Sequence, residues 1–378
     1  MEIASYLKFM VDHDASDLYL SPGAPVLVKI KGVTRPVNEG QRLSAAQTKT
    51  LAYSMMNDRQ LRDFEEHWEA NLALSVSDVG RFRVNVMQQR GSAAIVIRAI
   101  KSHPPGLDEL NLPGSFADLV MEKRGLVLVA GATGSGKTTT LAAMIEQRNR
   151  TQHGHILTIE DPIEYIYEYK KSIINQREVG ADTKSYAAAL KNAMREAPDV
   201  ILIGEIRDAD TMREAITYAE TGHLCLATVH ASNCVETLDR VINFFPIEKR
   251  QQLLIDLGHN LRAIICQRLL KGLDGGLYPA VEVLKDTPYI SELIQRGNIG
   301  EIREALDRNM EHDIVTFDQS IIELFEAGKI SEQEAIAHAS SKHNVAVKIR
   351  LKNRSAITSN LDIMDNTDVP NRNNNKLY

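Results

Sequence analysis

Aromatic residues are scarce in this chain: they make up 5% of its 378 positions, with a single tryptophan, Trp68. Cysteine is scarcer still, the whole set being Cys225, Cys234 and Cys266. None belongs to a C-x-x-C pair. An odd, scattered set argues against a disulfide framework or a zinc module, and fits small buried hydrophobes in a reducing compartment. No apolar run approaches the roughly 20 residues needed to span a bilayer. The first residues, MEIASYLKFMVDHDAS, lack a cationic start and a cleavable apolar core, which argues against secretion. A basic excess is also missing. The net charge of −6 speaks against a dedicated nucleic-acid binder. What is present, 43% hydrophobic and 25% charged residues, belongs to a soluble globular protein. The length is too great for one ordinary core and suits two domains.

The first hundred residues read as a small α+β unit. A helix carrying Ile3, Leu7, Met10 and Val11 leads into DLYLSPGAPVLVKIKG, a pair of strands around a turn at Pro22 and Gly23. Residues 44–67 read as helical, with a capping box at Ser44 and Gln47. NLALSV and RFRVNVMQ then alternate and AAIVIRAI follows, with turn signals between them, the pattern of an antiparallel meander. KSHPPGLDELNLPG is a linker, because Pro104, Pro105, Gly106 and Pro113 oppose regular structure. Beyond it the apolar strands GLVLVAG, HILTIED, VILIGE and LCLATVH alternate with helical segments. Continuous apolar strands in that arrangement imply a parallel sheet covered on both faces. Residues 247–270 and 288–341 read as mostly helical. From about Lys352 the chain is rich in Asn, Asp, Ser and Thr, and reads as a disordered tail.

Between a strand and a helical run stands GATGSGKT, Gly131 to Thr138, a complete G-x-x-x-x-G-K-[ST] loop. Glycines let the backbone wrap a phosphate closely, and successive amides with a helix N-terminus supply positive potential. Lys137 is placed to reach the β- and γ-phosphates, and Thr138 to put a hydroxyl on Mg²⁺. ATP or GTP binding follows.

The strand in DVILIGEIRD ends in Gly204 and Glu205, where a nucleotide-hydrolysing strand usually carries an acidic pair. TIEDPIE ends the preceding strand and holds Glu160, Asp161 and Glu164 at its carboxyl end, where open α/β sheets place their ligands. Acids gathered there bind Mg²⁺ through water or orient an attacking water; the plainer reading is a solvated acidic turn. His223 and His230 flank one strand, roughly 23 Å apart at about 3.3 Å per residue, too far to chelate one metal. His230 stands at the end suited to a γ-phosphate. Arg81 and Arg83 share a face by period two, and Arg98 lies on the next strand. Solvated faces are the ordinary reading of such arginines. Nucleotide hydrolases also need an arginine from another domain or subunit, and the residues alone leave the choice open.

Together these motifs resemble the hexameric secretion ATPases, and within them the retraction ATPases of type IV pili. TIEDPIEY is similar to the family's Asp box, APDVILIGEIRD to its atypical Walker B, where glycine before the glutamate is the norm, and ETGHLCLATVHA to its His box. The resemblance covers roughly residues 1–345, including GRFRVN and TFDQSI. It implies an α/β fold: a PAS-like α+β domain (1–100), a linker (101–118), a RecA-like P-loop ATPase domain with C-terminal helices (119–350) and a tail (351–378).

Carried over residue by residue, the resemblance implies that Gly131, Ala132, Thr133, Gly134, Ser135, Gly136, Lys137, Thr138 and Thr139 bind ATP. Thr138, Glu164 and Glu205 would hold Mg²⁺, partly through water. Glu205 would activate water, Glu164 would serve hydrolysis, and His230 would lie near the γ-phosphate. Arg81, Arg83 and Arg98 would reach the nucleotide from the N-terminal domain. The resemblance further implies a homo-hexamer acting in pilus retraction and twitching motility, docked on the inner-membrane platform protein at the cytoplasmic face. EKRGLVLVAGATGSGK, ALKNAMREAPDVI and the extended tail are closer to the accessory retraction motors than to the principal one, which would then be a partner. A pilus-assembly or type II secretion ATPase is a competing reading. It is disfavoured because the chain begins directly with the meander and carries no four-cysteine module. A RecA-like nucleic-acid motor is disfavoured by charge and by the lack of a basic–aromatic stripe.

Overall fold

Alternation in the first hundred residues becomes six strands in this computed structural model, which describes residues 3–38, 40–101, 103–308 and 315–352. They are β1 (Ala15–Leu20), β2 (Leu27–Ile30), β3 (Val33–Pro36), β4 (Glu69–Val76), β5 (Gly80–Gln89) and β6 (Ser92–Ile100). Their order is β3-β2-β1-β6-β5-β4, with every neighbour antiparallel. Period two sends Phe82, Val84 and Val86 of β5, with Ile95 and Ile97 of β6, to one buried face. Leu7 and Met10 of the helix Ile3–Asp12 join that core. The opposite face carries Arg81 and Arg83, with Arg98 directly across from Arg83.

The helical stretch expected over 44–67 is two helices, Ala45–Ser54 and Asp58–His67. The first opens on the expected capping box at Ser44. The break comes at Asn57, whose side chain accepts from the main-chain N–H groups of Arg59 and Gln60 and so starts a second helix. A short polar side chain that competes for the backbone is enough to end one helix and cap another. In the expected linker, the described residues 101–114 form no helix or longer strand, only an isolated bridge from Lys101 to Tyr165. Its last residues differ from expectation: the helix Ser115–Met121 begins there.

Farther on come β7 (Gly125–Ala130), β8 (Gly154–Glu160), β9 (Ser172–Glu178), β10 (Val200–Ile203), β11 (Leu224–Val229), β12 (Leu261–Lys271) and β13 (Leu277–Lys285). The chain falls into two compact units, residues 1–106 with 141–205, and residues 107–140 with 206–378. In the first, β8 runs parallel to β10 on one side and to β9 on the other, in addition to the antiparallel sheet. In the second, β7 runs parallel to β11 and β12, and β13 turns back antiparallel on β12. Every residue of β7, β10 and β11 is buried, as strands covered on both faces must be.

The sequence reading lacks four of these strands, β3, β9, β12 and β13, and two of the misses have a clear cause. β9 was not expected, because SIINQRE mixes charges into its alternation. β12 replaces helix over 261–271, because an apolar run buried on both faces has no periodicity to separate strand from helix. The region 288–341 holds helices as expected, at Pro288–Arg296, Ile299–Arg308, Phe317–Glu326 and Glu332–His338. A further helical stretch over 342–352 occupies the first residues of the expected tail, and the rest of that tail lies outside the described residues. No described helix is long and apolar enough to cross a membrane.

All three cysteines are free and buried. The Cys234 and Cys266 sulfurs and a Glu282 oxygen lie within 4.8 Å of one another. Glu282 accepts the main-chain N–H of Cys234 at 2.8 Å, at the start of the helix Cys234–Asn243. The carboxyl oxygen therefore satisfies one of the main-chain donors left open at a helix N-terminus. Burial pushes both the Cys234 thiol and the Glu282 carboxyl up.

The helix Lys137–Thr151 is anchored by Glu146, which is 2% exposed. Burial acts to raise its carboxyl, but bonds from Lys170, Arg150 and Asn149 overcome this and hold it below the usual range. A carboxyl depressed in the fold stabilises above its unfolded value of about 4.3, and that stability is lost as pH falls through the folded value. Glu146→Gln is therefore expected to cost about 1–3 kcal/mol at neutral pH, since it strands two half-exposed cations. The gap to the native chain should close on acidification, as read by thermal melts across pH 3–7, on the order of that carboxyl's range.

Candidate active site

The strand β7 delivers the chain into the loop Gly131–Gly136, and the helix starting at Lys137 leads it away. Gly136 has φ +90°, a conformation that favours glycine. Lys137 is buried, and its Nζ donates to the carbonyls of Gly131 and Ala132 at 3.0 and 2.9 Å, so its charge is held over the first turn of the loop. Thr138 is exposed. Ser135 Oγ is buried with no hydrogen-bond partner. A buried hydroxyl left unpaired is costly unless a ligand takes it up. A cavity of about 310 Å³ adjoins the loop, with Ser232, Gln267, Arg268 and His338 on its other side. Arg268 is fixed there: it donates to the carbonyl of His338 at 2.8 Å and lies 3.9 Å from the Phe317 ring. Glycine turns, an ammonium, an orphan hydroxyl, a helix N-terminus and no acid within residues 131–140 make a donor set that fits a polyphosphate.

In the first unit the acids divide by environment. Glu160 is 6% exposed and accepts from Thr158 Oγ1 at 2.6 Å and Gln176 Nε2 at 3.2 Å. Burial pushes its carboxyl up despite those bonds. It belongs to the framework, whereas Asp161 and Glu164 are exposed. The main chain on both sides of Glu164 is pinned. Ile163 N donates to Glu178 Oε2 at 3.3 Å, and Ile166 N to the carbonyl of Lys101 at 3.2 Å.

Gly204 answers why an acid is missing from the end of β10. Its N–H donates to the carbonyl of Ile159 at 2.8 Å. A Cβ there would stand 2.8 Å from the Tyr186 hydroxyl and 3.2 Å from Glu160 Cα. No side chain fits without displacement, so the first carboxylate falls one residue later, at the half-buried Glu205.

Of the three candidate arginines of the antiparallel sheet, Arg81 and Arg98 are held by acids. Arg81 Nη2 donates to Glu178 Oε2 at 3.3 Å, and the Arg81 Nε is buried without a partner. Arg98 Nε donates to Asp17 Oδ1 at 2.9 Å, which raises its pKa, and the charge of Glu164 adds to this. Arg83 lines a cavity of about 370 Å³ together with Arg59, Asp161 and Glu178. His230 directly follows β11 and is half-buried. His223 has a structural seat, its Nδ1 3.1 Å from the carbonyl of Tyr218 and its ring edge-on to Tyr218.

Sequence reasoning missed Asp17, Glu178 and Gln267. Asp17 meets Arg98 only through a strand pairing 81 residues distant. Glu178 closes the unexpected strand β9, and Gln267 lies in β12, read as helix. An amide inside the apolar run LRAIICQRLL was the available signal for Gln267, since a buried amide needs a partner.

A family model for the type II/IV secretion system protein matches residues 3–365. The type IV pilus ATPase PilU of Pseudomonas aeruginosa is 45% identical across 94% of this chain and 93% of its own. The type IV pilus retraction ATPase PilT of the same organism is 41% identical across 91% of this chain and 100% of its own. A crystal structure of the pilus retraction motor PilT with bound ADP, 40% identical, has a TM-score of 0.84 and covers 90% of this chain and 98% of its own.

Crowding at Gly204 gives a direct expectation. Gly204→Ala should cost about 1–3 kcal/mol, and Gly204→Asp at least as much, although the latter restores the commoner acid. Melting temperatures of the two variants equal to that of the native chain would overturn the steric account.

Proposed function

The chain belongs to the family of type II/IV secretion system proteins, and from that premise we propose that it is an ATP-hydrolysing motor that retracts type IV pili. The observation that carries this reading is a complete phosphate loop in a chain like PilU and PilT over 94% and 91% of its length. The same breadth of likeness favours retraction over pilus assembly or type II secretion. With 45% identity to PilU against 41% to PilT, the accessory PilU-type role is favoured, with a PilT-type motor as partner.

In this reading Gly131 to Thr139 hold the phosphates of ATP, with Lys137 balancing their charge. Thr138, Glu164 and Glu205 would hold Mg²⁺, partly through water; the ion supplies charge neutralisation on the phosphates. Glu205 takes the proton from the water that attacks the γ-phosphorus, and the bond to the bridging oxygen breaks to leave ADP. Glu164 orients that water, and His230 stands by the γ-phosphate. Arg81, Arg83 and Arg98 meet developing charge, and their acid partners Glu178 and Asp17 keep two of them aligned. The divisions carry over as proposed: a PAS-like domain (1–100), a linker (101–118), a RecA-like ATPase domain (119–350) and a tail (351–378). So do the homo-hexamer, the platform protein as a partner at the cytoplasmic face of the inner membrane, and the absence of a direct nucleic-acid role.

Steady-state hydrolysis tests the assignment. Glu205→Gln should lose about 100-fold or more in turnover while still binding ATP, since a general base contributes on that order. Equal rates in the two proteins would sink the role of Glu205. Deletion of the gene should weaken pilus retraction and twitching, and unchanged retraction in every background, with and without a PilT-type motor, would refute the cellular role.

A further inference from the structure

We propose that Gln267 is a positioning residue for the phosphate loop, holding both of its ends in the shape that takes up a polyphosphate. The proposal rests on reading Gly131–Thr138 as the phosphate site. β12 runs parallel to β7 with Cys266 opposite Ala130. The next residue on each strand places Gln267 beside Gly131, where the loop begins. A Cβ at Gly131 would fall 2.7 Å from the main-chain carbonyl oxygen of Gln267, and one at Gly136 would fall 2.7 Å from its side-chain Nε2. The Gln267 side chain also accepts the Thr140 hydroxyl at Oε1, at 2.7 Å, and Thr140 is fully buried in the first turn of the helix.

One residue thus touches the first glycine of the loop, its last glycine and the helical turn that follows. Lys137 and Thr138 lie between the last two of these contacts. Their amides and side chains take their direction from a segment fixed at both ends by Gln267. The burial of Gln267, which is 3% exposed, makes the arrangement demanding. A buried amide in an apolar strand is tolerated when its polar atoms are engaged, and here Oε1 is engaged by the turn after the loop. Loss of the amide would leave β12 and its main-chain contact with Gly131 in place and let the end of the loop from Gly136 to Thr140 relax, weakening the grip on phosphate and leaving the acids that act on water untouched. That separates Gln267 from a residue that merely holds the fold.

Full-length protein carrying Gln267→Leu, Thr140→Val or both, compared with the native chain, tests this. Calorimetry with ATP and with ADP gives affinities, steady-state hydrolysis separates KM from kcat, and nucleotide-free melts report the fold. Gln267→Leu should weaken ATP binding about tenfold, the factor that corresponds to roughly 1.4 kcal/mol, and should raise KM by a similar factor with kcat changed less than about threefold. Thr140→Val should follow in the same direction more weakly, and the double variant should bind no worse than Gln267→Leu alone, because one bond is shared. If the native chain itself fails to bind ATP, the phosphate-site reading fails. If the native chain binds and Gln267→Leu shows the same affinity and KM, with or without a lower melting temperature, the positioning role is overturned. Should Gln267→Leu not fold, Thr140→Val decides: an affinity equal to native overturns the proposal.

Discussion

Two strand ends in the first unit approach so closely that only a glycine fits between them. Gly204 lies against the Ile159–Glu160 backbone and under the Tyr186 hydroxyl, its N–H bonded to Ile159. Much of the chemistry proposed for this protein follows from that contact. A carboxylate at position 204 would have to displace backbone, which costs more than moving a side-chain tip. Acidic function is accordingly spread over neighbouring positions. Glu160 is sealed inside with Thr158 and Gln176, and Glu164 and Glu205 keep access to solvent. An absence that looked like a defect in the sequence is the signature of close packing.

Similar reasoning applies to the arginines. In the antiparallel sheet, a cation on the face away from the core ordinarily moves freely in solvent, and an exposed ion pair contributes little. Arg81 is different, because its partner Glu178 also accepts the main-chain N–H of Ile163. One carboxylate therefore joins an arginine of β5 to the acidic segment after β8. Arg98 is tied to the buried Asp17 and feels Glu164. Charge on that sheet face and charge around Glu164 are one electrostatic unit, built from residues widely separated in the chain.

How far this was legible in the sequence depended on the range of the interactions. GATGSGKT, the capping box at Ser44 and the β4–β6 meander are local patterns, and each was found where it was read. Arg81 and Arg83 could be put on one face by counting in twos along the strand, and Arg98 joins them through the β5–β6 register. The partners of Arg81 and Arg98 could not be placed so, because Asp17 and Glu178 come from pairings that no local pattern reveals. β12 failed for a different reason. Leu261 to Leu270 is mostly apolar and buried on both faces, and its apolar centre, Ala263 to Cys266, is too short to carry a period. Missing the strand meant missing Gln267, since its value lies in the register with β7 and not in its own neighbourhood. Asn57 ended a helix that apolar spacing alone would have continued.

The three buried thiols have a practical consequence. Cys225, Cys234 and Cys266 have no solvent exposure, and burial keeps the Cys225 and Cys234 sulfurs protonated far above their usual range. A thiol-reactive dye attacks the thiolate and needs access to it, so the folded chain is silent to it. All three thiols belong to the unit of residues 107–140 and 206–378, and none to the other. The native sequence thus carries its own clock for the opening of one unit, readable without labels or added cysteines.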